Sequence, residues 1–157
     1  MGLKVKIAKI SDKPYISSLL QLYLRELSEF EEISFTPSGE YEYDYLEFYW
    51  TEKNRRPYLF YFDGKTADFA LVWQNEEQII MAEFTVLPEY RGYRFGSIFA
   101  DEVIQRHHGK WNIEYSIKNS HALEFWNKLV KNIKVSNLKK EKINEDRESL
   151  IFTYSKR

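Results

Sequence analysis

Between Tyr58 and Val86 the chain carries three apolar runs with almost nothing between them. Tyr58 to Phe62, Ala67 to Trp73 and Gln78 to Val86 are rich in β-branched and aromatic residues, and each is short enough to be a strand rather than a helix. Asp63-Gly64 separates the first two runs, and both residue types accept the positive φ of a tight hairpin turn. Asn75-Glu76-Glu77 separates the second pair. Strands joined by turns this short lie antiparallel and side by side. Three strands, the first two read as a hairpin, are therefore the frame to which the rest of the chain attaches.

The flanking segments alternate in kind. Val5 and Ile7 alternating with Lys4 and Lys6 predict a strand with one buried face. Asp12 is placed to cap a helix with Pro14 in its first turn, and Ile16, Leu19, Leu20, Tyr23, Leu27 and Phe30 follow three and four residues apart. After a loop with Pro37 and Gly39, the rings and acids of Tyr41 to Glu52 predict a second, irregular helix. Beyond these three strands, Phe95, Ile98, Phe99 and Val103 mark a helix ending near Gly109, and Trp111 to Ile117 a strand. Asn119 or Ser120 caps a helix carrying Ala122, Phe125, Trp126, Leu129 and Val130, and Ser149 to Tyr154 forms a last strand. The expected order β-α-α-β-β-β-α-β-α-β describes one α/β domain over residues 1–157, with a mixed, mostly antiparallel central sheet and helices on both faces.

Composition narrows the chemistry. Lys plus Arg number 23 against 24 Asp plus Glu, so no overall positive field exists to hold a nucleic acid. The absence of cysteine excludes disulfides, thiolate zinc sites and a thiol nucleophile. No apolar run is long enough to span a bilayer, and lysines interrupt the start MGLKVKIAKI, so the expectation is a cytoplasmic protein that begins at Met1 and makes no membrane contact. His107 and His108 are adjacent and diverge on a helix; with His121 they are expected at the surface, and no metal is expected. Arg55-Arg56 and Lys139-Lys140-Glu141-Lys142 are expected in solvated loops.

The segment Val86 to Ser97 runs from a strand end through a glycine-containing turn into a helix start. Free N–H groups and the positive helix end suit such a turn to pyrophosphate. It is neither a P-loop, since no Gly-Lys-Ser/Thr follows, nor a dinucleotide fingerprint. Arg91-Gly92-Tyr93-Arg94-Phe95-Gly96 resembles the Arg/Gln-x-x-Gly-x-Gly/Ala motif of the GNAT superfamily of acetyl-CoA-dependent N-acetyltransferases, with Arg94 departing from it. The later block Asn119-Ser120-His121-Ala122-Leu123-Glu124-Phe125-Trp126 is similar to that family's Asn-x-x-Ala-x-x-aromatic-Tyr, with Trp126 at the tyrosine. Together with the element order, the resemblance covers essentially the whole chain. The shorter matches Ala82-Glu83-Phe84, Gly109-Lys110-Trp111 and Phe125-Trp126 look like an uncharacterised bacterial branch of the superfamily.

The resemblance implies transfer of an acetyl group from acetyl-CoA to a primary amine, on a small molecule or a peptide, by a monomer or homodimer. Direct attack within a ternary complex follows from the lack of cysteine. The resemblance also implies a V-shaped opening between two splayed strands. Pantetheine would pair with Phe84, Thr85 and Val86, the pyrophosphate would sit on the amides of Arg91, Gly92, Tyr93, Arg94, Phe95, Gly96 and Ser97, and Asn119 and Trp126 would border the cofactor arm. At Arg94 only the N–H is expected to matter, with the guanidinium adding phosphate contacts. An indole N–H is no acid at neutral pH, so Trp126 leaves the thiolate-protonating role of the family tyrosine unfilled. A catalytically silent acyl-CoA-binding or regulatory module is the second reading on that account.

Glu83 is a carboxylate in an otherwise apolar strand, expensive there unless hydrated, paired or functional, and is the candidate general base. Tyr45, Glu47 and Tyr49, in a segment mixing rings with acids, are the candidate acceptor-binding residues through charge and cation–π attraction. The alternative is that those rings pack the segment onto the sheet while its acids stay in water.

Overall fold

The structure is a computed structural model that describes residues 2–156. Its elements run β1 (Leu3–Ile7), α1 (Lys13–Leu27), α2 (Phe48–Thr51), β2 (Arg55–Phe62), β3 (Lys65–Gln74), β4 (Ile79–Val86), α3 (Phe95–Gln105), β5 (Gly109–Ser116), α4 (Ser120–Asn132), β6 (Ser136–Lys142) and β7 (Arg147–Tyr154). One seven-stranded sheet takes the order β1-β2-β3-β4-β5-β7-β6. Every neighbouring pair is antiparallel except β4 with β5. The Asp63-Gly64 hairpin is as expected, with φ of 48° and 81° at its turn, and β4 pairs on to make a β2-β3-β4 meander. At the second turn Asn75 Oδ1 accepts the N–H groups of Glu77 and Gln78 at 2.8 and 2.7 Å.

Each sheet face is covered. Ile16, Leu19, Leu20 and Leu24 of α1 meet Leu59, Phe69 and Leu71 on one face, joined by Leu46 and Tyr49. On the other face Phe99, Ala100, Val103 and Ile104 of α3 and Trp126, Leu129 and Val130 of α4 pack on Phe60, Val72, Met81, Trp111 and Phe152. Two apolar cores therefore share one sheet, the architecture anticipated from the element order.

Three expectations are corrected. Tyr41 to Glu52 is helical only at Phe48–Thr51, because its alternating rings and acids present no continuous apolar stripe at helical spacing. Lys139 to Lys142 is no loop but part of the edge strand β6, paired with β7 alone and exposed along nearly its whole length. Lysines suit that position, since charge on an edge strand opposes further pairing. Arg55 and Arg56 begin β2, and the Arg55 guanidinium lies 4.9 to 5.6 Å from the ring centroids of Trp73, Tyr49, Tyr45 and Phe48. It also donates to Glu52 Oε1 at 2.9 Å.

Candidate functional site

β4 and β5 pair only at Ile79 with Trp111 and Ile80 with Asn112. Beyond those residues the two strands diverge, and β4 continues along β3 to Val86. A register shift between Leu71 and Val72 of β3 inserts Ala82 into β4. Simple alternation from Met81, which faces α3, would send Glu83 to the same side; the bulge sets Glu83 opposite Leu71 on the α1 side and returns Phe84 to the α3 and α4 side. Bulge and divergence together open the sheet at Glu83 and Phe84.

Two cavities meet at this opening. One, of about 560 Å³, runs between α1, the end of β4, the turn before α3 and the start of α4, and is lined by Phe84, Thr85, Val86, Arg91, Gly92, Arg94, Phe95, Gly96, Ser97, Asn119 and Trp126. The structure thus brings together every expected cofactor residue except Tyr93, whose ring is 66% exposed outside the lining. The other cavity, of about 330 Å³, lies deeper and holds Glu83 among Tyr23, Tyr115, Glu31, Glu114 and Arg147. Both are walled by Tyr23, Leu27, Phe84, Asn119, Ala122 and Trp126.

The turn of the larger cavity has the geometry of an anion cradle. Gly92 has φ of 88°, and α3 starts at Phe95 with no side chain capping its first N–H groups. Those amides remain free for a ligand. Arg94 is corrected here: it adopts φ 65° and ψ 9°, the left-handed conformation that costs an L residue about 1–2 kcal/mol. Its side chain is exposed beside the cradle. The Arg91 guanidinium is tied into the fold, donating from Nε to the Val86 carbonyl at 2.8 Å and from both terminal nitrogens to Glu26 at 2.9 and 3.0 Å. Asn119 caps α4 by accepting the Ala122 N–H on Oδ1 at 3.2 Å. Phe84 stacks on Phe99 and Phe125 and meets Trp126 edge-on at 5.0 Å, so Trp126 walls the slot as an apolar surface.

In the smaller cavity Glu83 shares the wall with apolar side chains, with tyrosines and with the charged groups of Glu31, Glu114 and Arg147. Burial pushes its carboxyl from the usual 4.5 up to about 7, against the lowering effect of the Tyr43 and Tyr23 hydroxyls that face it. Tyr23 and Tyr43 are in turn pushed well above their ordinary value by burial and by the Glu83 charge, and both stay protonated. At the outer end Arg147 bridges two carboxylates, with Nη1 at 2.8 Å from Glu31 Oε1 and Nε at 3.2 Å from Glu114 Oε1. Tyr115 donates to Glu148 at 2.8 Å and accepts from Asn127 at 2.9 Å.

Tyr45, Glu47 and Tyr49 line neither cavity. Tyr45 and Tyr49 turn to the Arg55 guanidinium, so a cation of the chain itself already occupies their faces, while Glu47 lies in solvent 3.4 Å from Lys13 Nζ. His107 is also corrected: it is half-buried with Nε2 2.7 Å from the Tyr58 hydroxyl, and burial lowers its pKa to about 4. His108 and His121 are exposed. Sequence reading passed over Glu31, Glu114 and Arg147, which lie far apart in the chain, and over Tyr23, whose signal was a hydroxyl within a leucine stripe.

Residues 18–129 match the profile of the Acetyltransferase (GNAT) family. No curated protein matches the sequence significantly. Among solved structures, a domain from Methanocaldococcus jannaschii superposes with a TM-score of 0.71 at 13% identity, covering 97% of this chain and 98% of that one. Spermidine N-acetyltransferase from Vibrio cholerae, solved with CoA and spermine, gives 0.66 at 14% identity over 97% and 96%. A Bacillus anthracis acetyltransferase assigned to streptothricin and solved with acetyl coenzyme A gives 0.59 at 16% identity over 99% of both chains. At these identities the likeness is one of fold.

Proposed function

The chain belongs to the acetyltransferase (GNAT) family, whose acyl donor is acetyl-CoA, and on that premise we propose that it acetylates a primary amine by direct attack in a ternary complex. The observation that carries the reading is the junction of the two cavities: one holds an uncapped helix start, the other holds Glu83, and the diverging strands leave a passage between them at Phe84. The α3 amides bind the pyrophosphate, the free edge of β4 at Phe84 to Val86 takes the pantetheine, and the thioester reaches the passage. With no cysteine in the chain, the acetyl group has no thiol on which to rest.

An alkylammonium of pKa about 10.4 is neutral in only about one molecule in 2,500 at pH 7. Glu83 removes that proton, directly or through a water, and its raised pKa keeps its proton affinity useful near neutral pH. The acceptor enters past Glu31, Glu114 and Arg147, where two carboxylates outnumber one guanidinium. Residues 26–52 contain nine acids and no Lys or Arg, so this side of the molecule attracts cations. Tyr45, Glu47 and Tyr49 lie outside both cavities, the two rings on Arg55 and Glu47 beside Lys13, and are not acceptor contacts in this reading.

Thiol release from acetyl-CoA over a panel of amines tests the reading. Because a protein of this fold was solved with spermine, the panel includes polyamines beside propylamine, aminoglycosides, amino acids and peptide N-termini. Turnover of cationic amines that weakens with added salt is expected. Acetyl-CoA binding without turnover of any amine would instead favour the silent binding module.

A further inference from the structure

We propose that Tyr23 is the proton donor to the departing sulfur of CoA, working as a pair with Glu83; this rests on the acetyl-transfer reading above. When the C–S bond breaks, the electron pair leaves on sulfur, beside the apolar side chains of Phe84, Ala122 and Trp126. A thiol pKa of about 8.5 in water rises further in such surroundings, so departure as a bare anion is costly. A donor at the passage between the cavities is what the chemistry requires.

Six side chains wall both cavities, and Tyr23 is the one among them with a hydroxyl. Trp126 has no acidic proton, and Asn119 is committed to capping α4. Other hydroxyls nearby are spoken for or displaced. Tyr115 is engaged by Glu148 and Asn127 and lines only the inner cavity, Thr85 turns its hydroxyl to the Val86 carbonyl at 3.4 Å, and Tyr43 lines neither. The Tyr23 hydroxyl faces the Glu83 carboxylate and the Phe84 amide, three and four residues past Ile80, the last β4 residue that pairs with β5. Its ring is fixed edge-on to Phe69 at 5.9 Å.

The protons balance through this pair. The ammonium first sheds one proton to solvent by way of Glu83. As the neutral nitrogen attacks, the N–C bond forms and the C–S bond breaks. Nitrogen passes its second proton to Glu83, Tyr23 passes its hydroxyl proton to sulfur, and Glu83 returns the proton to the Tyr23 oxygen. Amide and free thiol leave, and both side chains end as they began. Burial does most to hold the Tyr23 proton in place, and the charges facing it, those of Glu83 and more weakly Glu31, add to that hold. Protonation of Glu83 removes the nearer one, so Tyr23 becomes a better acid at the moment sulfur needs it.

The experiment compares wild type, Tyr23→Phe and a variant with 3,5-difluorotyrosine at position 23, using acetyl-CoA with spermidine and propylamine. Tyr23→Phe is expected to lower kcat by at least about 100-fold, with acetyl-CoA affinity by calorimetry unchanged within twofold. Difluorotyrosine keeps the shape and lowers the phenol pKa, so it is expected to retain turnover and move the alkaline limb of the pH–rate profile to lower pH. A Tyr23→Phe enzyme with wild-type kcat, or a difluorotyrosine profile superposable on wild type, overturns the assignment. Should Tyr23→Phe fail to fold, the near-isosteric difluorotyrosine profile decides alone. Wild type inactive with both amines removes acetyl transfer to such acceptors and the Tyr23 role together, whereas an active wild type with an indifferent position 23 removes only the latter.

Discussion

A Cβ on Gly96 would lie 3.0 Å from Val86 Cγ2, tighter than nearly all real Cβ contacts, so the valine would have to give way by a few tenths of an ångström. The same atom would be 3.1 Å from Phe125, so Gly96 is the point at which α3, the end of β4 and α4 close on one another. The start of α3 packs this closely beside the larger cavity with no side chain standing at Gly96.

Gly96→Ala is therefore expected to destabilise the fold by about 1–3 kcal/mol through overpacking and to weaken acetyl-CoA binding by displacing the cradle amides. Gly96→Glu is expected to abolish binding. Thermal unfolding and calorimetry read the two effects, and unchanged acetyl-CoA affinity in Gly96→Glu would remove the cradle assignment.

Arg94 combines a left-handed backbone with an exposed guanidinium beside the cradle. Arg94→Ala and Arg94→Gly both delete the charge, but only glycine relieves the conformation. Both are expected to weaken acetyl-CoA binding several-fold and to reduce its salt dependence, while Arg94→Gly is the more stable of the two by about 1 kcal/mol. Equal stability of the two variants would show that the backbone at 94 relaxes.

Glu83→Gln separates base chemistry from folding. With the carboxyl at about 7, wild-type turnover is expected to rise as pH climbs through neutrality and Glu83 ionises. The variant is expected to lose about 100-fold or more at pH 7 and to recover partly at alkaline pH, where the amine is neutral without help. A variant profile parallel to wild type would take Glu83 out of catalysis.

The acceptor side can be located by variants on its two candidate walls. Glu31→Gln and Arg147→Gln, at the cavity rim, are expected to change KM for a cationic amine several-fold. Tyr45→Ala and Glu47→Gln are expected to leave kcat and KM within about twofold, since Tyr45 packs on Arg55 and Glu47 pairs with Lys13. The opposite pattern would restore the acidic aromatic segment as the acceptor wall.

What could be read before folding was local or periodic. The Asp63-Gly64 hairpin, the Asn119 cap and the Gly92 to Gly96 turn each depend on neighbours within a few positions, and Glu83 stood out because a charge interrupts an apolar strand. β6 was hidden because Ser136–Lys142 buries almost nothing: an edge strand held by backbone pairing to β7 carries no hydrophobic alternation to detect. The Glu31–Arg147 contact joins positions 116 residues apart and exists only through the closure of β7 against β5. Arg55 misled in the other direction. The rings of Tyr45 and Tyr49 did signal a cation, and the cation is part of the same chain.

Asp68 yields a last prediction, on stability. It is fully buried on β3 between Phe60 and Val86, and among the described residues neither carboxylate oxygen has a hydrogen-bond partner. Burial lifts its pKa well above the ordinary 3.8. Below that ordinary value the group is neutral in both folded and unfolded chains. Above it the unfolded chain releases the proton while the folded chain keeps it, so each further pH unit removes up to about 1.4 kcal/mol of stability until the buried carboxyl itself ionises. Glu83 acts in the same direction up to about pH 7, so the comparison belongs in a Glu83→Gln background. There, urea unfolding between pH 5 and 8 is expected to show stability falling with pH, and Asp68→Asn, which cannot ionise, to flatten the fall. An undiminished slope in the double variant would mean that Asp68 ionises alike in both states and that a buried donor reaches it in solution.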